Sequence, residues 1–152
     1  MRKNTVIKLV TLPLISIALL GCGQNFDTNE KTPHQIGVYS SGLILSKKTE
    51  SGFLAYGPYV KLEPGSYTAS FEVQSLGEDP KCKEAGFVDV NQADVKTSTQ
   101  NVLAKQGITC DPNNENIDLN FNVEKGDDNL YQFRVFANGS NSMKFTKVKL
   151  NK

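Results

Sequence analysis

The strongest constraint on the fold is a two-residue alternation of apolar and polar side chains that begins directly after Pro64-Gly65. The apolar positions are Tyr67, Ala69, Phe71 and Val73, and the polar positions are Thr68, Ser70, Glu72 and Gln74. Side chains in a strand alternate between its two faces, so this pattern predicts a strand with one buried and one solvated face. The alternation recurs in residues 117–123 and 130–137. We therefore predict an all-β fold, an antiparallel two-sheet jelly-roll-like sandwich.

The Pro64-Gly65 pair itself predicts a corner between the sheets. Proline presets φ at the first central position of a type II turn, and glycine accepts positive φ at the second. A type II turn splays its flanking strands, so we expect the chain to change sheets here rather than form a tight hairpin.

The last strand predicts a β-bulge. Met143 and Phe145 share one parity, whereas Val148 and Leu150 share the other. All four point inward only if one extra residue is absorbed near Thr146-Lys147.

The N-terminus has the composition of a secretory signal over residues 1–21. Arg2, Lys3 and Lys8 form a positive region, and the mostly apolar run Leu9–Leu20 follows. This run is too short to span a bilayer, which takes about 20 residues, and it has the length of a signal-peptide core.

The run ends in Leu19-Leu20-Gly21-Cys22, which resembles the bacterial lipobox, where a small residue precedes a lipidated cysteine. The resemblance implies a bacterial lipoprotein whose mature chain begins with acylated Cys22, held in the membrane by several acyl chains. No aspartate follows Cys22, which favours the outer membrane, with the domain facing the periplasm. An ordinary signal peptide with an incidental cysteine is the alternative.

The mature chain divides into two parts. Residues 22–34 are polar with little periodicity, which predicts a lipidated cysteine followed by a flexible tether. Residues 35–152 carry the strand patterns and form the β-sandwich domain. Removing residues 1–21 lowers the formal charge from +1 to −2, so the acyl chains rather than a basic patch must supply membrane attachment.

Cys82 and Cys110 predict a disulfide. With Cys22 acylated, they are an even pair in an exported domain. Phe87–Val90 and Val102–Ala104 are expected to pair as antiparallel neighbours joined through polar residues 91–99, which brings the two cysteines together at the open end. The alternatives are two free thiols or intermolecular bridges.

The order of motifs after Gly42 is similar to that of the carbohydrate-binding-like jelly-roll domains attached to some bacterial glycosyltransferases and methyltransferases. The shared residues are Gly57-Pro58-Tyr59, Leu62, Pro64-Gly65, Tyr67, Phe71, Val88-Asp89-Val90, Phe133-Arg134-Val135, Phe145 and Val148-Lys149-Leu150. The resemblance implies a two-sheet jelly roll and, through it, glycan binding. Because the matching residues have the pattern of core and turn positions, a shared fold does not by itself carry the function.

Three tyrosines are the candidate ligand-binding residues. Sugar sites use exposed aromatic platforms, and Tyr39, Tyr56 and Tyr59 fall outside the buried parity of the strands. The alternative is that these side chains are core edges with a solvated hydroxyl.

Catalytic and metal-binding motifs are not found in the sequence. A single histidine, no nucleophile elbow, no phosphate loop and no His/Cys metal spacing predict a protein that is not an enzyme and uses no cofactor or metal. Asp79, Asp111 and Asp127-Asp128 are candidate calcium ligands, because hard oxygen ligands suit that ion. The alternative is that they are solvated turn residues. The near-neutral charge predicts no nucleic-acid partner.

Three functions compete on these observations. The first is a lipid-anchored binding module of the cell envelope with a glycan ligand. The second is a structural or protein-interaction lipoprotein without a sugar ligand. The third and weakest is a hydrolase with an unrecognised site.

Overall fold

The computed structural model describes residues 23–126 and 128–152, so the signal residues and Cys22 lie outside the described part. The described residues form ten strands and no helix. The strands are β1 (Gln24–Asp27), β2 (Val38–Ser40), β3 (Leu43–Ser46), β4 (Gly52–Tyr56), β5 (Gly65–Ser75), β6 (Glu84–Asp94), β7 (Thr99–Thr109), β8 (Asn116–Val123), β9 (Leu130–Ala137) and β10 (Met143–Asn151). Residues 23–126 and 128–152 accordingly contain no helix long and apolar enough to cross a membrane.

The strands build two antiparallel sheets that pack face to face as a jelly-roll-like sandwich, which confirms the predicted fold. The six-stranded sheet has the order β2-β3-β10-β5-β8, and β1 also pairs with β10. The four-stranded sheet has the order β4-β9-β6-β7. The predicted bulge is present in β10, where the register with β5 shifts between Phe145 and Lys147.

The core lies between the inner faces of the sheets. Phe133 of β9 is 1% exposed. Its ring centroid lies 6.4 Å from Phe71 of β5 and 6.3 Å from Phe121 of β8. These contacts cross from one sheet to the other, and they fix which parity of β9 points inward.

The corner before β5 is confirmed, but its turn type is not. Val60 forms an antiparallel bridge with Tyr131 in the four-stranded sheet, whereas β5 belongs to the six-stranded sheet. Gly65 has φ +150°, not the value near +80° that a type II turn needs. Glycine is still favoured, because L side chains rarely adopt a φ of +150°, whereas the nearby Lys152 Cε belongs to a flexible side chain that can move.

The structure differs from the expected tether at its first strand. Gln24 pairs with Leu150 of β10, and the Phe26 ring stacks on Phe133 at 5.4 Å. Farther on, Tyr56 N–H donates to Pro33 O at 3.0 Å. The chain after β1 therefore crosses from the six-stranded sheet to the β4 edge; we call residues 28–36 the strap.

The predicted disulfide is present between Cys82 and Cys110, whose Cα atoms are 5.7 Å apart. The bridge closes the open end of the β6–β7 hairpin, next to the Glu84–Thr109 pair. The hairpin is longer than the sequence indicated, because β6 runs to Asp94 and β7 starts at Thr99.

Candidate functional site

The outer face of the four-stranded sheet carries the most unusual side chains of the sandwich. Phe133 points inward, so Arg134 beside it points outward. The β6–β9 register then places Asp89 opposite Arg134 and Phe87 opposite Phe136, without a shift. A pair of opposite charges and a pair of aromatic rings thus lie next to each other on a face that the sandwich core does not cover.

Asp89 and Arg134 form a bidentate ion pair. Arg134 Nε donates to Asp89 Oδ1 at 2.8 Å, and Nη2 donates to Oδ2 at 2.8 Å. The side chain of Asp89 is only 1% exposed and that of Arg134 is 15% exposed. Removing such charges from water costs several kcal/mol per ion. The attraction between the two ions offsets this cost only when their hydrogen-bond geometry is as good as it is in this pair. The pair is therefore rigid, and the guanidinium has N–H groups beyond the two that Asp89 uses.

Four aromatic side chains form a continuous band across three strands, which we call the aromatic strip: Phe87, Phe136, Phe53 and Tyr56. Successive ring centroids along it are 4.9 Å, 5.5 Å and 6.2 Å apart. All four are partly exposed. Cations flank the strip, with Lys105 Nζ 3.7 Å from the Phe87 centroid and Arg134 Cζ 5.2 Å from the Phe53 centroid.

Two buried amides continue the polar part of this face. Asn91 and Gln132 lie opposite each other in the register and are 1% and 2% exposed. Asn91 Nδ2 donates to Gln100 Oε1 at 3.2 Å, while Asn91 Oδ1 is buried without a hydrogen-bond partner. A buried acceptor left unpaired costs about 1–3 kcal/mol, so Asn91 is a locally unfavourable residue within this sheet.

The structure separates the three candidate tyrosines. Tyr56 belongs to the aromatic strip. Tyr59 lies between Tyr56 and Val60, which both pair with β9, so it borders the same sheet. Tyr39 lies in β2 of the six-stranded sheet, and its hydroxyl accepts the Gly42 N–H at 3.2 Å. Whether any of them binds a ligand stays a prediction.

The sequence reasoning missed the other members of this face. Phe136 has the opposite parity to the inward residues of β9, and Phe87 has the opposite parity to Val88 and Val90. The aromatic side chains of Phe87 and Phe136 at outward strand positions were the sequence signal that could have identified them. Asp89 and Arg134 had no such signal, because only the strand register brings them together.

The acidic residues weighed as calcium ligands do not come together. Asp79 faces Lys48 at 3.6 Å, and Asp128 binds Lys61 at 3.1 Å, whose hydrogen bond lowers the pKa of Asp128. Asp111 accepts the Asn113 N–H in its own turn. Among residues 23–126 and 128–152 no group of three metal-ligating side chains is placed to hold an ion, and Asp127 lies outside these ranges.

A separate opening of about 520 Å³ lies between the strap and the sandwich. Its lining includes Phe26, Pro33, Ala55, Pro58 and Phe145. The volume is within the range of small-molecule sites, but its lining contains no buried charge of the kind seen on the outer face.

Comparison with known proteins identifies no family for this chain. No protein-family model matches the sequence, and no curated protein matches it. One similar solved structure is that of the CBM22-1–GH10 modules of Clostridium thermocellum endo-1,4-beta-D-xylanase 10B with xylohexaose, at TM-score 0.47 and 12% identity. The match covers 86% of this chain and 24% of that one. A similarity this low does not allow the ligand of the xylanase modules to be inferred for this chain.

Proposed function

We propose that this protein is a lipid-anchored, non-enzymatic lipoprotein of the cell envelope whose sandwich domain binds a glycan on the outer face of the four-stranded sheet. Acyl chains on Cys22 would hold it in the outer membrane, with the domain in the periplasm. The observation that carries the binding proposal is the aromatic strip lying beside a buried, bidentate Asp89–Arg134 ion pair.

This combination suits a sugar for two reasons. Aromatic rings offer apolar surface to the C–H groups of a pyranose, and Tyr56 adds a hydroxyl that can hydrogen-bond at the rim. The polar side chains are held in place before any ligand arrives, so little side-chain entropy is lost on binding. Arg134 supplies N–H donors beyond the two that Asp89 accepts.

A protein partner is the second candidate, and one observation favours it. Among the described residues, β7 pairs only with β6, so its other edge is unpaired along eleven residues. Val102 on this strand is 46% exposed. A long exposed edge can accept a strand from another chain.

A matched pair of tyrosine variants tests the glycan proposal. A soluble form lacking residues 1–22 is screened on a glycan array, and the affinity for each bound oligosaccharide is measured by calorimetry. We expect Tyr56→Ala to lose about 1 kcal/mol of binding free energy, about a fivefold change in Kd. Tyr39→Ala, on the other sheet, should bind as the parent does.

Equal losses for the two variants would contradict the assignment of this face. An array without any bound glycan, together with a partner captured through β7, would favour the protein-interaction alternative.

The anchoring proposal has its own test, independent of the ligand. Cells expressing the full chain are labelled with radioactive palmitate, and their membranes are separated on a density gradient. We expect labelled protein in the outer-membrane fraction and no label in Cys22→Ser. Label retained in that variant would refute acylation at Cys22.

A further inference from the structure

The start of β1 limits how far the domain lies from its acyl chains. Gln24 is already paired with Leu150 in the six-stranded sheet. Only Gly23 separates it from Cys22, and two fully extended residues span at most about 7 Å. If Cys22 is acylated, the folded domain is therefore held directly at the bilayer rather than on a long tether.

The direction of β1 decides which end of the sandwich is held there. Going from Asp27 to Gln24, the chain runs parallel to β10 from Lys147 towards Leu150. β10 ends beside the start of β5, because Lys152 Cε lies next to Gly65. The acylated residue is thus on the side of the β5 start and of the C-terminus.

Loops from both sheets complete this end. Gly65 pairs with Val123, and the described residues 124–126 and 128–129 form the loop between there and β9. The β6–β7 turn lies against that loop, since Lys96 Nζ is 3.9 Å from Asp128 Oδ2. Val95 in the turn is 58% exposed. The disulfide lies at the opposite end of the β6–β7 hairpin.

We propose, resting on the acylation of Cys22 above, that the end formed by the β6–β7 turn, the described residues of the β8–β9 loop and Lys152 faces the phospholipid headgroups. The strands then run away from the membrane, and the outer face of the four-stranded sheet is roughly perpendicular to the bilayer plane. A ligand lying in the layer next to the membrane reaches this face without passing under the domain.

Charge does not set this orientation. Asp128 lies within 4 Å of both Lys61 and Lys96, at 3.1 Å and 3.9 Å. These cations lower the pKa of Asp128, which offsets one of the two positive charges. Asp94 offsets the other, because hydrogen bonds from the Lys96 and Thr97 amides lower its pKa and keep it ionised. The covalent link supplies the constraint, so the orientation should be the same on zwitterionic and anionic vesicles and at low and high salt.

Fluorescence quenching of the acylated full-length protein in phosphatidylcholine vesicles tests the orientation. Single environment-sensitive labels are placed at exposed sites through Lys96→Cys, Lys31→Cys and Asn113→Cys, which report the turn, the strap side and the far end. Headgroup spin-labelled lipid should quench most of the fluorescence of the label at Lys96→Cys. The label at Asn113→Cys should be quenched no more than it is in protein that also carries Cys22→Ser and therefore lacks the acyl chains.

A spacer variant provides the matched control. Ten Gly/Ser residues inserted between Gly23 and Gln24 add about 16–19 Å of coil, and we expect them to remove the difference between the labels. Equal quenching at Lys96 and Asn113, or strongest quenching at Lys31, in protein that co-sediments with vesicles would overturn the orientation alone. Failure to co-sediment at all would overturn the acylation on which it rests.

Discussion

The two outer faces of the sandwich have opposite characters. On the six-stranded sheet, exposed hydroxyls and amides pair across neighbouring strands, as Ser66 with Asn122 at 2.8 Å and Thr68 with Asn120 at 2.7 Å. Its ion pair, Lys147–Glu72, spans 3.4 Å with both side chains more than a third exposed. On the four-stranded sheet, the equivalent positions hold aromatic rings and a buried ion pair.

The six-stranded sheet shows the side chains that this protein places on a face in contact with water alone. A face that only has to meet water is satisfied by short polar side chains, which cost little to keep hydrated. By comparison, the aromatic strip exposes apolar rings to water, and the buried Asp89–Arg134 pair requires two charges to be desolvated. Neither feature contributes to the inter-sheet core. This contrast supports the proposal that a ligand binds to the four-stranded sheet rather than to the other.

The largest expected effect comes from breaking each ion pair. Arg134→Ala leaves Asp89 buried without its counter-charge and should destabilise the domain by about 3–5 kcal/mol. Lys147→Ala removes an exposed pair and should cost less than about 1 kcal/mol. Urea unfolding of both variants and of the parent gives the two values, and similar losses would contradict the contrast between the faces.

The disulfide should matter chiefly to the four-stranded sheet. The bridge spans a sequence separation of 28, for which chain entropy gives about 3–4 kcal/mol at best. In Cys82→Ala/Cys110→Ala, hydrogen exchange should accelerate in the β6–β7 hairpin more than in the β5–β8 pair. Uniform acceleration in both would mean that the bridge supports the whole sandwich equally.

The smallest expected effect is a difference in salt sensitivity. Raising ionic strength from about 0.1 M to about 1 M shortens the Debye length from about 10 Å to about 3 Å. The cost of Lys147→Ala should then disappear, whereas the cost of Arg134→Ala should persist because Asp89 is shielded from solvent. The same unfolding experiment at two salt concentrations checks this.

Local pattern was enough to predict much of the fold. Alternation located β8 and β9, the parity slip located the bulge in β10, and cysteine placement predicted the Cys82–Cys110 bridge. The alternation in β5 and the Pro64-Gly65 pair located the sheet change, although the backbone of Gly65 differs from a type II turn.

What the sequence missed depends on contacts between distant segments. β1 is short and polar and has no periodic pattern, so only its pairing with β10 and the packing of Phe26 on Phe133 define it. The Asp89–Arg134 pair likewise follows from the β6–β9 register. Tyr56 was predicted as a candidate from its exposure, but Tyr39 shows that exposure alone does not place residues on one face.

The most direct test of the central claim is to map the bound ligand on the domain by NMR. The amide resonances of the soluble form are followed during titration with chitohexaose, cellohexaose and soluble peptidoglycan fragments. Our account predicts shifts confined to β4, β6 and β9, with the Arg134 side-chain Nε–H signal among them, and no change in β5, β8 and β10. Shifts concentrated on the six-stranded sheet, or at the opening beneath the strap, would contradict it.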